Sequence, residues 1–106
     1  MNRGEIWWTD FDPSIGSETQ KTRPAAIVSN DLSNRKLDRV VVVPMTSNTT
    51  RLYRGEALVK VGGQWAKAMA DQITAVDKSR LKSRLGKLST ADLLAVEQAI
   101  KVHLEL

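Results

Sequence analysis

Strand arithmetic brings an arginine, a hydroxyl and a carboxylate of this sequence to one point. If residues 24–29 and 39–44 are antiparallel neighbours, the start of the first lies beside the end of the second, which places Arg23 near Thr46 and Ser47 at one edge of a sheet. Glu18 precedes Arg23 by only a few residues, at most about 18 Å of extended chain. A loop folding back over that edge brings its carboxylate in. Such a set suits cleavage of an RNA phosphodiester, which needs a base for the 2′-OH and donors for the charge that builds on pentacoordinate phosphorus. Other chemistries lack their parts. The one histidine, His103, falls in the last turn of a C-terminal helix, where a surface or capping role is the expectation, and no Ser-His-Asp arrangement exists. There is no cysteine, the acids show no pairing that would hold two metals, and no glycine loop cradles a phosphate, so neither a metal nor a cofactor is expected.

The elements that must position this cluster read as strands first and a helix last. Residues 5–11, 24–29, 39–43, 56–61, 64–70 and 72–76 are the strand candidates, rich in β-branched, aromatic and small apolar residues. The four valines Val40–Val43 resist helix and read as buried on both faces, with Pro44 closing that strand. Pro24 suits only the first position of its strand, since proline cannot donate to an interior ladder. Gly62-Gly63 reads as a hairpin turn, and residues 30–38 as a polar connection holding a short helical turn. One of Trp7 and Trp8 is expected to face inward and the other outward; for any one tryptophan, core packing is the favoured expectation. Beyond Ser89, which with Asp92 resembles a capping box, Leu93, Val96, Ile100 and Leu104 recur at helical spacing, with Leu94 and Ala99 widening the stripe. The expected architecture is α+β: a small curled antiparallel sheet or barrel carrying an amphipathic helix over residues 89–105.

At 106 residues, 42% hydrophobic and 26% charged, the chain is sized for one domain spanning residues 1–106. No apolar run approaches the ~20 residues of a membrane span and no signal-peptide pattern is visible at the N-terminus, so a cytoplasmic location is expected. The formal net charge of +4 is unevenly spread: Lys78, Arg80, Lys82, Arg84 and Lys87 sit in a segment without an acid. That run fits an RNA backbone, an acidic partner segment, or a solvated face.

At the Arg23 cluster the sequence resembles a known family. Arg3-Gly4-Glu5-Ile6-Trp7-Trp8 and Asp10-Phe11-Asp12-Pro13-Ser14-Ile15-Gly16-Ser17-Glu18 are similar to the opening of the MazF/PemK toxins. Lys21-Thr22-Arg23-Pro24-Ala25-Ala26-Ile27-Val28-Ser29-Asn30, Val43-Pro44-Met45-Thr46-Ser47 and Ala70-Asp71-Gln72-Ile73 follow in the family's order. The resemblance implies a compact SH3-like barrel with a C-terminal helix, a homodimer, and a metal-independent, sequence-specific endoribonuclease of a type II toxin–antitoxin pair. It implies cleavage of single-stranded RNA (mRNA, rRNA or tRNA) to a 2′,3′-cyclic phosphate and a 5′-hydroxyl. The implied partners are that RNA, an antitoxin with a disordered inhibitory segment, and operator DNA only as part of the toxin–antitoxin complex; no membrane is implied.

Carried onto this chain, the family's catalytic arginine matches Arg23, its threonine Thr46, and the acidic residue of some members Glu18. Where certain members have a histidine before the arginine, Thr22 stands here. A guanidinium with a pKa above about 12 is poorly suited to shuttling protons, so Arg23 is assigned as the clamp on the phosphate. Thr46 would donate to a non-bridging oxygen, with Ser47 a weaker candidate. Glu18 is the candidate base for the 2′-OH, against a loop salt bridge to Lys21 or Arg23. Lys21, Thr22, Ser47, Asn48, Arg51 and Gln72 are candidate RNA contacts, Gln72 having a buried structural role as its alternative. The rival reading from another class is a non-catalytic interaction module, such as a gyrase poison, on the same barrel. A DNA-binding regulator is disfavoured because no helix-turn-helix is visible.

Overall fold

The computed structural model describes all 106 residues. Its elements run β1 (Glu5–Asp10), β2 (Thr22–Ile27), α1 (Asp31–Lys36), β3 (Arg39–Thr46), β4 (Glu56–Val61), β5 (Gln64–Met69), a 3-10 turn (Ala70–Gln72), β6 (Thr74–Asp77), a second 3-10 turn (Lys78–Arg80), β7 (Leu81–Lys87) and α2 (Thr90–Leu104). All pairings are antiparallel, in the order β4-β5-β3-β2-β1-β7, with β6 also on β3. The expected antiparallel sheet with a C-terminal helix is therefore the architecture found.

Strand β3 organises it. Along one side it pairs with β2 from Val42 to Pro44; along the other it pairs with β6 from Arg39 to Val42 and then with β5 at Met45 and Thr46. Pro44 does not close this strand, contrary to the sequence reading. The Val41 carbonyl accepts from Val28 on the β2 side, so by backbone alternation the even-numbered residues of β3 turn the other way. The missing N–H of Pro44 thus points into the gap where β3 exchanges β6 for β5, and costs no ladder bond. Pro24, expected first in its strand, is the third residue of β2; the ladder to β3 starts one residue later, at Ala25.

Period-2 alternation sends the side chains of β2 and β3 to two cores. Ala26, Val43 and Met45 join Ile6, Val59, Ala68 and Leu88 on one face, beneath Val96 and Ala99 of α2. Ala25, Ile27, Val40 and Val42 pack on the other against Phe11, Val76, Leu81 and half-buried Trp7. Trp8 faces outward, as one of the pair should, but Trp65 is 53% exposed under the Lys60 ammonium, which overturns core packing for that ring. The β4–β5 hairpin turns through Gly62 and Gly63 at φ +56° and +80°, the backbone a two-residue type I′ turn demands.

Helix α2 starts where the sequence placed it: the Ser89 side chain accepts from the Asp92 N–H. The box is half made, because the Asp92 carboxylate accepts from the Lys60 N–H of β4 rather than reaching back. Leu94 does not widen the buried stripe; it is 60% exposed. The last strand candidate begins two residues late, the first 3-10 turn taking the place of Gln72.

The basic run is itself an element that the sequence reading passed over, a 3-10 turn followed by β7. Much of its charge is spent internally: Arg80 donates to the carbonyls of Asp10 and Asp12, Lys82 to that of Ser79, and Arg84 pairs with Glu5 at 3.5 Å. Burial raises the Glu5 carboxyl, but bonds from Trp7 and the backbone, with the N-terminal ammonium and Arg84, hold it below its ordinary value.

Candidate active site

The face that buries Val40 and Val42 runs out at Pro44, and beyond it the same face turns polar. Continuing the Ala25↔Pro44 register by two residues sets Arg23 opposite Thr46, and Thr46 is paired in turn with Lys67 of β5. Directly opposed residues share a face with Cβ atoms about 5 Å apart; Thr46 and Lys67 are such a pair, and Arg23, two residues beyond the last β2–β3 pair, continues the row into the same cleft. The row floors an open cleft of about 360 Å³, walled on one side by the loop between β1 and β2. Glu18, Lys21, Asn48 and Gln72 line the same cleft.

Each side chain is held so as to leave capacity free. Arg23 is half-buried, and its Nε donates to the Gln20 carbonyl at 3.2 Å; neither Nη has a protein acceptor. The Thr46 Oγ1 accepts from the Asn48 N–H at 3.3 Å, so its own proton remains to be donated. The Glu18 Oε1 accepts from the Ile15 N–H at 2.7 Å within its own loop. No ion pair joins Glu18 to Lys21 or Arg23, so the salt bridge weighed in the sequence reading is not formed. Lys21 takes a left-handed φ of +66°, its N–H donating to the Asp12 carboxylate, and its ammonium is exposed beside the cleft without a partner.

Three of the residues singled out in the sequence do not line this cleft. Thr22 is exposed and paired to Asp10 at the head of β2. Ser47 is exposed just past β3. The Arg51 guanidinium turns to Tyr53, lying 5.6 Å from the ring centre and donating to its hydroxyl. Lys67, in contrast, was missed. It is only 9% exposed, its Nζ donating to the Arg51 carbonyl at 2.9 Å and pairing with Glu56 at 3.2 Å. A lysine between Ala66 and Ala68 reads as the solvent side of a strand; carrying the register across to β5 would have found it.

A guanidinium with free donors, a hydroxyl proton and a carboxylate around one open cleft can grip a phosphate and accept a proton beside it. Comparison with known proteins bears on the chain as a whole. Residues 2–104 match the family model described as PemK-like, MazF-like toxin of type II toxin–antitoxin system. Endoribonuclease MazF9 of Mycobacterium tuberculosis is 41% identical, the alignment covering 100% of this chain and 98% of that protein. Endoribonuclease MazF of Staphylococcus epidermidis is 30% identical, over 100% and 92%. Among solved structures, an endoribonuclease in complex with its cognate antitoxin from a mycobacterial species superposes with a TM-score of 0.84 at 25% identity, over 100% and 96% of the two chains. MazF from Deinococcus radiodurans shares the fold at a TM-score of 0.88 and 24% identity, over 100% and 97%. From its first strand to its C-terminal helix, the chain belongs to the PemK-like, MazF-like toxin family.

Proposed function

We propose that this protein is an endoribonuclease toxin that cleaves single-stranded RNA through the RNA's own 2′-OH, without a metal ion. The observation that carries the reading is the pairing of Arg23, with both Nη groups uncommitted, and the Thr46 hydroxyl on one row of the sheet facing an open cleft. The full-length relatives named as endoribonucleases support it. Glu18 takes the 2′-OH proton; the 2′ oxygen bonds to phosphorus, and the bond from phosphorus to the 5′ oxygen breaks. The departing 5′ oxygen takes a proton from solvent, to which the open cleft gives access. Products are a 2′,3′-cyclic phosphate and a 5′-hydroxyl. Arg23 and Thr46 meet the negative charge on the non-bridging oxygens, where one preorganised donor contributes about 3–4 kcal/mol. Lys21 and Asn48 flank the scissile position and hold the RNA backbone. The working form in this reading is a homodimer held inactive by an antitoxin; for the antitoxin alone, support comes from the mycobacterial relative solved in complex with its cognate antitoxin. Operator DNA is contacted only by the toxin–antitoxin complex.

The test incubates purified protein in EDTA with a long single-stranded RNA and with a copy carrying 2′-deoxy substitutions. Discrete cuts that vanish at deoxy positions are expected, with Arg23→Ala slower by roughly 10²–10³-fold. Arg23→Lys should also lose most activity, because an ammonium lacks the guanidinium fork. A folded wild-type protein that leaves the RNA intact would refute the ribonuclease and leave an interaction module.

A further inference from the structure

Gln72 ends the first 3-10 turn, and its Oε1 accepts from both the backbone N–H and the hydroxyl of Thr19, at 2.7 and 2.5 Å. The orientation of the amide is forced, since a backbone N–H can only donate. Thr19 belongs to the loop between β1 and β2. From residue 13 to residue 20 that loop makes no other hydrogen bond to an element outside its two flanking strands: Ile15 and Glu18 bond each other, and Gln20 bonds Arg23. Packing does not hold the segment either. Ser17, Glu18 and Thr19, with Gln72, form a wall one layer thick between the cleft and a second hollow of about 740 Å³ on the loop's far side. The segment thus has open space on both sides and a single clasp.

Two groups assigned to the chemistry depend on where this segment lies. Glu18 adjoins Thr19 on one side; Gln20, whose carbonyl holds the Arg23 Nε, adjoins it on the other. We propose that Gln72 is a positioning residue, a clasp that by holding Thr19 sets both the Glu18 carboxylate and the Arg23 guanidinium against the substrate. The proposal rests on the ribonuclease reading for its effect on rate, while the clasp itself can be observed without RNA.

The experiment uses the full chain and reads hydrogen exchange at the Thr19 amide alongside kcat and KM on an RNA oligonucleotide. In Gln72→Leu the Thr19 amide should exchange at least about tenfold faster. The same variant should lose roughly 10–100-fold in kcat, the scale of a misplaced catalytic group, with KM changed less than about twofold. Gln72→Glu offers a carboxylate to the same two donors. It should restore Thr19 protection and bring kcat within about threefold of wild type, while the added negative charge raises KM. Should Gln72→Leu fail to fold, Thr19→Val, which removes the hydroxyl bond alone, carries the test with a smaller shift in the same direction. In a folded double variant Thr19→Val should add nothing to Gln72→Leu. Unchanged Thr19 exchange in Gln72→Leu overturns the proposal, as does additivity in the double variant. A protected Thr19 in a Gln72→Glu protein as slow as Gln72→Leu also overturns it, because Gln72 would then touch RNA directly. A wild-type protein that cuts no RNA removes the ribonuclease reading and the catalytic half of this proposal together, and Thr19 exchange still decides the clasp.

Discussion

The cleft lies between two loops that are tied down by opposite means. Residues 47–55 are anchored by charge: the Lys67 ammonium, 5.3 Å from the Tyr53 ring centre, donates to the Arg51 carbonyl and pairs with Glu56, which also accepts from the Tyr53 N–H at 2.7 Å. The side chains of Lys67 and Glu56 are 11% and 6% exposed. Residues 13–20 are anchored by the neutral, half-buried amide of Gln72 with open space to either side. A buried ion pair is costly to half-break, because the partner left behind is an uncompensated charge in low dielectric. A neutral bond near solvent is exchanged for water at small cost. The same cleft therefore has one wall fixed to the sheet and one that yields for about the free energy of a hydrogen bond or two, and the yielding wall carries Glu18.

Substitutions test that contrast directly. Lys67→Met should be the most damaging, about 3 kcal/mol in chemical denaturation, since it strands the Glu56 carboxylate. Adding Glu56→Gln, which keeps an acceptor for Tyr53 and removes the charge, should recover most of the loss. Gln72→Leu should cost about 1–2 kcal/mol. The contrast fails if the two single substitutions destabilise equally. Lys21→Ala should leave stability unchanged while lowering the slope of log affinity for RNA against log salt by about one contact's worth. The smallest effect lies away from both loops, at Glu5. Its folded carboxyl titrates below the ordinary 4.5, so it adds stability above that pH, which is lost as pH falls through the lower folded value. Glu5→Gln should shallow that acid limb of a stability-versus-pH curve; an unchanged limb would show that the bonds from Trp7 and Arg84 do not survive in solution.

Where a feature depended on periodicity or on one strand pair, the sequence already contained it. The meeting of Arg23 and Thr46 followed from two antiparallel strands, the cap of α2 from Ser89 and its spacing, and the hairpin from Gly62-Gly63. Features that depend on a third strand were hidden. Pro44 passes through β3 only because β6 stops where β5 begins, a fact of register between segments far apart in sequence. Lys67 becomes buried because Glu56 and the Arg51 carbonyl come to it, and neither leaves a local mark. Strand β7 went unread because a sheet-edge strand needs no alternation of apolar and polar residues; only Leu81 is buried along it. Glu18 turned to Ile15 rather than to a cation, a choice made by the loop's own turn geometry.

The bond from the Lys60 N–H to the Asp92 carboxylate has a consequence for the crowded cell. Strand β4 ends the sheet on one side and β7 on the other, and unpaired edge amides are templates on which foreign strands grow. The first turn of α2 plugs one such amide on β4 with a carboxylate, and exposed Lys82 and Lys87 place like charge along β7. Strand addition is thereby obstructed at one end of the sheet by a helix cap and opposed at the other by like charge. Asp92 thus guards colloidal solubility as well as the start of a helix, so that its loss would be felt in aggregation at high expression before it was felt in the cleft.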